Sequence, residues 1–128
     1  MVSPRPGDFF KAKAALDGKG GLWVIWAENL DGNFELVGRY FEGGRWSEVL
    51  RLTNALNGDF YHSMAQDRWG NIYLCWQSFR NRNSDIYLKV WGGRRWSEDM
   101  PVTVHPASDW FPQVACRPDG RVYIVWDS

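Results

Sequence analysis

The chain is poor in the residues that usually carry catalysis or metal binding. Among 128 residues there are two cysteines, Cys75 and Cys116, and two histidines, His62 and His105. Two cysteines are too few for a disulfide framework or a four-cysteine zinc site. No Ser-His-Asp order, metal-spaced cluster or phosphate-binding glycine motif occurs, so neither a cofactor nor a metal is expected. Neither sign of charge dominates, with Lys plus Arg at 15 and Asp plus Glu at 15. That balance removes the electrostatic footprint expected for nucleic acid or an anionic membrane. No apolar run approaches the roughly 20 residues of a membrane span. Residues 1–7 hold two prolines and no apolar segment of the export-signal kind, which leaves the compartment unassigned. No amphipathic segment of helical length is present either.

What the chain does have is aromatic residues and glycine: nine Trp, seven Phe, five Tyr and 13 Gly. That mixture favours an all-β protein. Trp26, Trp76 and Trp126 fall 50 residues apart, each closing an apolar run. Ala15, Ala65 and Ala115 keep the same register. So do Gly43 and Gly93, Thr53 and Thr103, and the segments Arg45-Trp46-Ser47-Glu48 and Arg95-Trp96-Ser97-Glu98. A period of this size marks stacked repeats, each burying its apolar face against the next. Cys75 aligns with Ile25 and Val125 and reads as a small core residue.

Each repeat reads as four short strands. The first spans residues 11–16, 62–66 and 112–116, and ends in a turn closed by Gly20, Gly70 or Gly120. The second spans residues 21–27, 71–77 and 121–127; its near-continuous apolar run suits a strand covered on both faces. Polar loops are expected at residues 28–33 and 78–84. A third strand follows at 34–41 and 85–91, then a fourth carrying Trp46 or Trp96 and running to Thr53 or Thr103. Four antiparallel strands per ~50 residues is the plan of a β-propeller blade. The spacing argues against a β-sandwich of two similar halves. The whole chain, 1–128, then reads as one partial propeller: blade one about 8–57, blade two about 58–107, and a half-blade 108–128.

The segments Asp109–Ala115, Asp119–Trp126, Trp76–Tyr87 and Gly93–Ser97 resemble blades of bacterial sialidase-like (neuraminidase-repeat) propellers. The resemblance implies the fold from Asp8 onward, and families of this kind are often exported. Only the glycines and Trp46 or Trp96 of that family's Asp-box are present. A hydrolase of the family also needs an arginine cluster, for which Arg39, Arg80 and Arg82 are the available residues. The fold therefore carries over more readily than the chemistry. A non-catalytic binding or scaffold module is expected, with a fragment of a sialidase-like glycoside hydrolase as the alternative.

Two and a half blades leave apolar flanks and an unpaired edge at residues 121–126, and such edges associate. The expected partner is a second copy of the chain, in a homo-oligomer that completes the ring across an interface of at least ~1,000 Å². Ile124→Lys is expected to disrupt it. Carbohydrate is the expected small partner. The loops leading into the first strands read Asp8-Phe9-Phe10-Lys11, Asp59-Phe60-Tyr61-His62 and Asp109-Trp110-Phe111-Pro112, an acid followed by two bulky apolar rings in each repeat. Rings stack on sugar faces and carboxylates accept hydroxyl hydrogen bonds. Asp59, Phe60, Tyr61, Asp109 and Trp110 are thus candidate ligand contacts, with Arg80 and Arg82 as carboxylate holders. The same aspartates also serve as turn caps, and the rings as packing. Neither histidine repeats, and each reads as a packing or surface residue. Trp26, Trp46, Trp76, Trp96 and Trp126 read as core; Trp69, alone in its turn, reads as exposed.

Overall fold

The computed structural model describes residues 9–54, 58–80, 82–104 and 106–128, without the side chains of residues 9, 10 and 60. The described residues form strands and turns with no helix. The first sheet holds β1 (Phe9–Leu16), β2 (Leu22–Leu30) and β3 (Asn33–Glu42), with β4 (Arg45–Trp46) and β5 (Leu50–Arg51) both paired to β3. The second runs β6 (Asp59–Gln66), β7 (Ile72–Arg80), β8 (Asn83–Trp91) and β9 (Met100–Pro101) in sequential order. The third pairs β10 (Trp110–Cys116) with β11 (Val122–Asp127). All pairings are antiparallel.

The fourth strand of each full sheet is broken, and its repeated serine explains why. Ser47 and Ser97 turn their hydroxyls inward to accept the N–H of Tyr40 and Val90, both at 2.9 Å. A side chain there replaces a strand neighbour and interrupts the ladder. Thr53 and Thr103 close the far end, their hydroxyls accepting the N–H of Leu36 at 2.9 Å and Ile86 at 3.0 Å.

The polar stretches 28–33 and 78–84 are not loops. β2 and β3 run on to Leu30 and Asn33, joined by Asp31-Gly32 with φ of 56° and 87°, a tight turn whose twist matches the flanking strands. β7 and β8 extend likewise to Arg80 and Asn83. The polarity misleads because Glu28, Ser78 and Ser84 in these stretches are buried; Glu28 accepts the Trp26 indole N–H at 3.0 Å. At the other end, Asp17 Oδ1 accepts the N–H of Lys19 and Gly21, and Asp67 Oδ1 those of Trp69 and Asn71, at 2.8–2.9 Å.

The core lies between the sheets. Trp23, Ile25 and Ala27 of β2 pack on Ile72, Leu74 and Trp76 of β7. Rings of Trp91 and Trp96 sit 5.1 and 5.4 Å from Trp23. Cys75, on the opposite face of the second sheet, packs with Val114, Val122 and Ile124 of the third. β7 is therefore apolar on both faces because both are covered. Cys75 and Cys116 are free thiols, and burial pushes the Cys75 thiol up to about 12. First strands lie side by side, counterpart meeting counterpart: Leu16 N–H donates to Gln66 Oε1 at 2.9 Å, and Ser63 Oγ to Gln113 Oε1 at 3.3 Å.

Trp26 and Trp76 are buried and Trp46 and Trp96 partly so, but Trp126 is 39% exposed. Among the described residues nothing covers the outer face of the third sheet. Trp69 is exposed in its turn.

Candidate functional site

Every first strand carries a β-bulge at its start. Pairing jumps from Phe10↔Ala27 to Lys13↔Ile25, from Phe60↔Gln77 to Ser63↔Cys75, and from Trp110↔Asp127 to Gln113↔Val125. In each case two residues face one, and that one is the repeating Trp26, Trp76 or Trp126. The leading bulge residues have positive φ: 58° at Lys11, 56° at Tyr61 and 52° at Phe111. Non-glycine residues seldom adopt this geometry, and a bulge that re-aims a side chain is a recurrent feature next to sites.

The re-aimed side chains meet across the sheets. The Tyr61 and Phe111 rings lie edge to face, centroids 4.9 Å apart, and Lys11 Nζ sits 5.8 Å over the Tyr61 ring. Phe111 and Trp110 are 51% and 40% exposed. The row is pinned from below: Phe111 N–H donates to the buried Gln77 Oε1 at 3.1 Å, and the His62 ring Nε2 lies 2.9 Å from the Ile25 carbonyl. Phe111 edge-on to Tyr61, with the exposed Trp110 just before it in β10, offers rings that can stack on a flat apolar face.

Asp59 and Asp109 lie under this row, fully buried. Asp59 Oδ1 accepts the Trp76 indole N–H at 3.1 Å and lies 3.8 Å from Arg80 Nη2. The Asp109 backbone N–H donates to the Ser84 carbonyl at 2.8 Å. As placed, both carboxylates support the strand starts and do not line the surface. Glu35, also buried, neighbours Asp59. Burial pushes its carboxyl up; the Thr53 hydroxyl and Arg51 oppose this, and Asp59 adds to it.

Arg80 does not reach the row. Its Nε donates to Ser78 Oγ at 2.8 Å and Nη2 to Asp99 Oδ2 at 2.7 Å, and its guanidinium stacks 4.1 Å from the Tyr87 ring centroid. Arg82 is exposed in the β7–β8 turn with φ of 72°. The two arginines therefore do not form one carboxylate clamp. Phe60 occupies β6 beside Gln77, its side chain outside the described residues, as are Asp8, Asn81 and His105. Among the described residues no group of three or more His, Cys, Asp and Glu is placed to hold a metal. Lys11 and Phe111 are the members of the row that sequence reading did not single out. The 50-residue register, which aligns both with Tyr61, was the available signal.

No family model and no curated protein sequence matches the chain. Among solved structures it is similar to a fucose lectin from Kordia zhangzhouensis, determined in complex with methyl-fucoside. The two share 18% identity over 91% of this chain and 82% of the lectin, with a TM-score of 0.57. At that identity the likeness concerns the fold: an all-β chain built of antiparallel sheets.

Proposed function

We propose that the chain is a non-catalytic, carbohydrate-binding module of the β-propeller kind, each sheet a blade, in which Tyr61 and Phe111, with the exposed Trp110 next to them in sequence, stack on a sugar face. The observation that carries this reading is the bulge repeated three times, whose leading residues Lys11, Tyr61 and Phe111 share a positive φ and meet side by side across the sheets. Lys11 at the end of the row supplies a donor for ring hydroxyls. The lectin of similar fold was solved with a fucoside, so methyl-fucoside is the first ligand to try, beside sialylated glycans suggested by the sialidase-like sequence pattern. Trp110→Ala with Phe111→Ala is expected to weaken glycan binding at least about tenfold while the protein stays folded. A glycan array without hits, or an unchanged Kd in the double variant, sinks the reading.

The module also self-associates on this reading. The packing of the first sheet on the second, and of the second on the third, uses equivalent faces. The outer face of the third sheet presents Tyr123 and Val125, which correspond to the core residues Trp23 and Ile25, and Val125 is 61% exposed. A second copy supplies a matching sheet face in a head-to-tail contact. Ile124 is the wrong residue to test this, because strand alternation points it inward against the second sheet. Val125→Lys is expected to leave the fold intact and to convert an oligomer seen by light scattering into a monomer. A monomer of the unmodified chain at micromolar concentration contradicts it.

A further inference from the structure

The two ends of the first strands differ in chemistry. The bulges occupy one end. The other collects the β1–β2, β6–β7 and β10–β11 turns, and its charge is lopsided although the chain as a whole is balanced. Arg68, Arg117 and Arg121 are exposed there, with Arg94 and Arg95 in the neighbouring outer turn. The carboxylates at this end are largely engaged. Asp17 and Asp67 are buried and hold turn N–H groups. Glu42 lies 3.7 Å from Lys19, and Asp119 lies 3.7 Å from both Arg117 and Arg121.

Trp69 stands among these arginines and is 62% exposed. Its counterparts in the other repeats are Lys19 and Asp119, so the ring is no part of the repeating core. The outer end of the ring is held close to backbone: a Cβ added to Gly120 would lie 2.6 Å from its Cη2 and 2.7 Å from its Cζ3, so only a glycine fits there. The Arg68 guanidinium lies 5.3 Å from the ring centroid, and its Nη1 donates to the Pro118 carbonyl at 3.4 Å. The indole thus rests against the third sheet's turn, with the Arg68 guanidinium over the ring and Arg117 and Arg121 in the same turn as Gly120.

We propose that this turn end is a second binding surface, separate from the bulge row, for an anionic polysaccharide. A sugar ring stacks on Trp69, and its sulfate or carboxylate groups meet Arg68, Arg117 and Arg121 through charge-assisted hydrogen bonds. A single aromatic platform, with cations confined to a few turns, fits one sugar unit and its neighbours. Tracking a nucleic-acid strand takes a continuous basic groove with successive stacking rings. The surface does not depend on the bulge row binding anything.

The test uses the full chain with dextran sulfate, polygalacturonate and neutral dextran, followed by tryptophan fluorescence and calorimetry. Binding to dextran sulfate, polygalacturonate or both, falling as salt rises and absent with dextran, is the expected result. The first two arms tell sulfate from carboxylate recognition. Trp69→Ala, and the triple change Arg68→Gln, Arg117→Gln and Arg121→Gln, should each weaken binding at least about tenfold. Trp69→Phe should retain most of it, and the Trp110→Ala, Phe111→Ala variant all of it. Thermal melts confirm that each variant is folded. The proposal is overturned if neither polyanion binds, if the triple variant binds as the unmodified chain does, or if duplex DNA competes as well as the polysaccharide.

Discussion

Replacing Gly70 with alanine is expected to cost about 4 kcal/mol of stability and to lower Tm by about 15 °C. Gly70 closes the β6–β7 turn with φ of +85°, already unfavourable for a side chain. The larger cost comes from the neighbouring sheet. A Cβ at Gly70 would lie 2.1 Å from both Cα and N of Gly18, main-chain atoms of the β1–β2 turn that have no flexible end to move aside. The first two sheets approach there backbone to backbone. Gly20 supplies the control. Its φ is +81° but no atom lies within 4 Å of its added Cβ, so Gly20→Ala should cost only the conformational part, about 1 kcal/mol. Thermal denaturation of the two variants separates the effects. Equal losses would mean that turn geometry alone sets the cost and the Gly18–Gly70 contact contributes nothing.

The second large effect is a loss of stability with acid, through His62. This side chain is buried in the β6 bulge, with Nε2 2.9 Å from the Ile25 carbonyl of the first sheet. Burial pushes its pKa down to about 4; the hydrogen bond to Ile25 opposes this, while Lys13 and Lys11 add to it. The sign follows from which state takes up the proton. Above about pH 6.5 both the folded and unfolded forms are neutral, so the group contributes no pH dependence. As pH falls from about 6.5 to about 4 the unfolded chain binds a proton that the folded one refuses, and folding loses about 3 kcal/mol. Below about pH 4 the loss levels off. Glu35 acts in the opposite direction, its raised pKa favouring the folded state at lower pH. The comparison must therefore be with His62→Gln, which keeps an N–H for the Ile25 carbonyl and does not titrate. Urea melts from pH 7 to pH 4 should show the unmodified protein losing about 3 kcal/mol relative to the variant. A constant gap between the two curves would contradict the assignment.

The two effects sit at opposite ends of β6 and both act between the first and second sheets. Gly70 sets how close the turns come, and His62 ties the bulge to Ile25. The aromatic row depends on the second of these, because Tyr61 is the residue before His62 in the same bulge. A functional row and a pH-sensitive packing contact thus share one irregularity of the strand.

The sequence by itself determined the all-β class, the 50-residue period and the places where the chain turns. These are local or periodic properties. Glycines closing the turns, apolar runs ending in Trp26, Trp76 and Trp126, and the paired Arg-Trp-Ser-Glu segments can be read without knowing what any residue touches. The tertiary structure decided what each polar residue does. Asp59 and Asp109 look like ligand carboxylates in a linear reading, but neighbouring strands enclose them. Glu28 and its surroundings look like a loop, but a Trp26 N–H and a tight Asp31-Gly32 turn make them strand. The bulges were hidden for the same reason: an extra residue is visible only against the partner strand that it fails to match. The charge segregation at the turn end was hidden because Arg68 and Arg121 are far apart in the chain. Arg68 reaches the turn that carries Arg121 only when two hairpins, equivalent in the repeat, are stacked with Trp69 against Gly120. Burial and proximity between sheets are non-local, and a period reports only that counterparts exist, not how closely they pack.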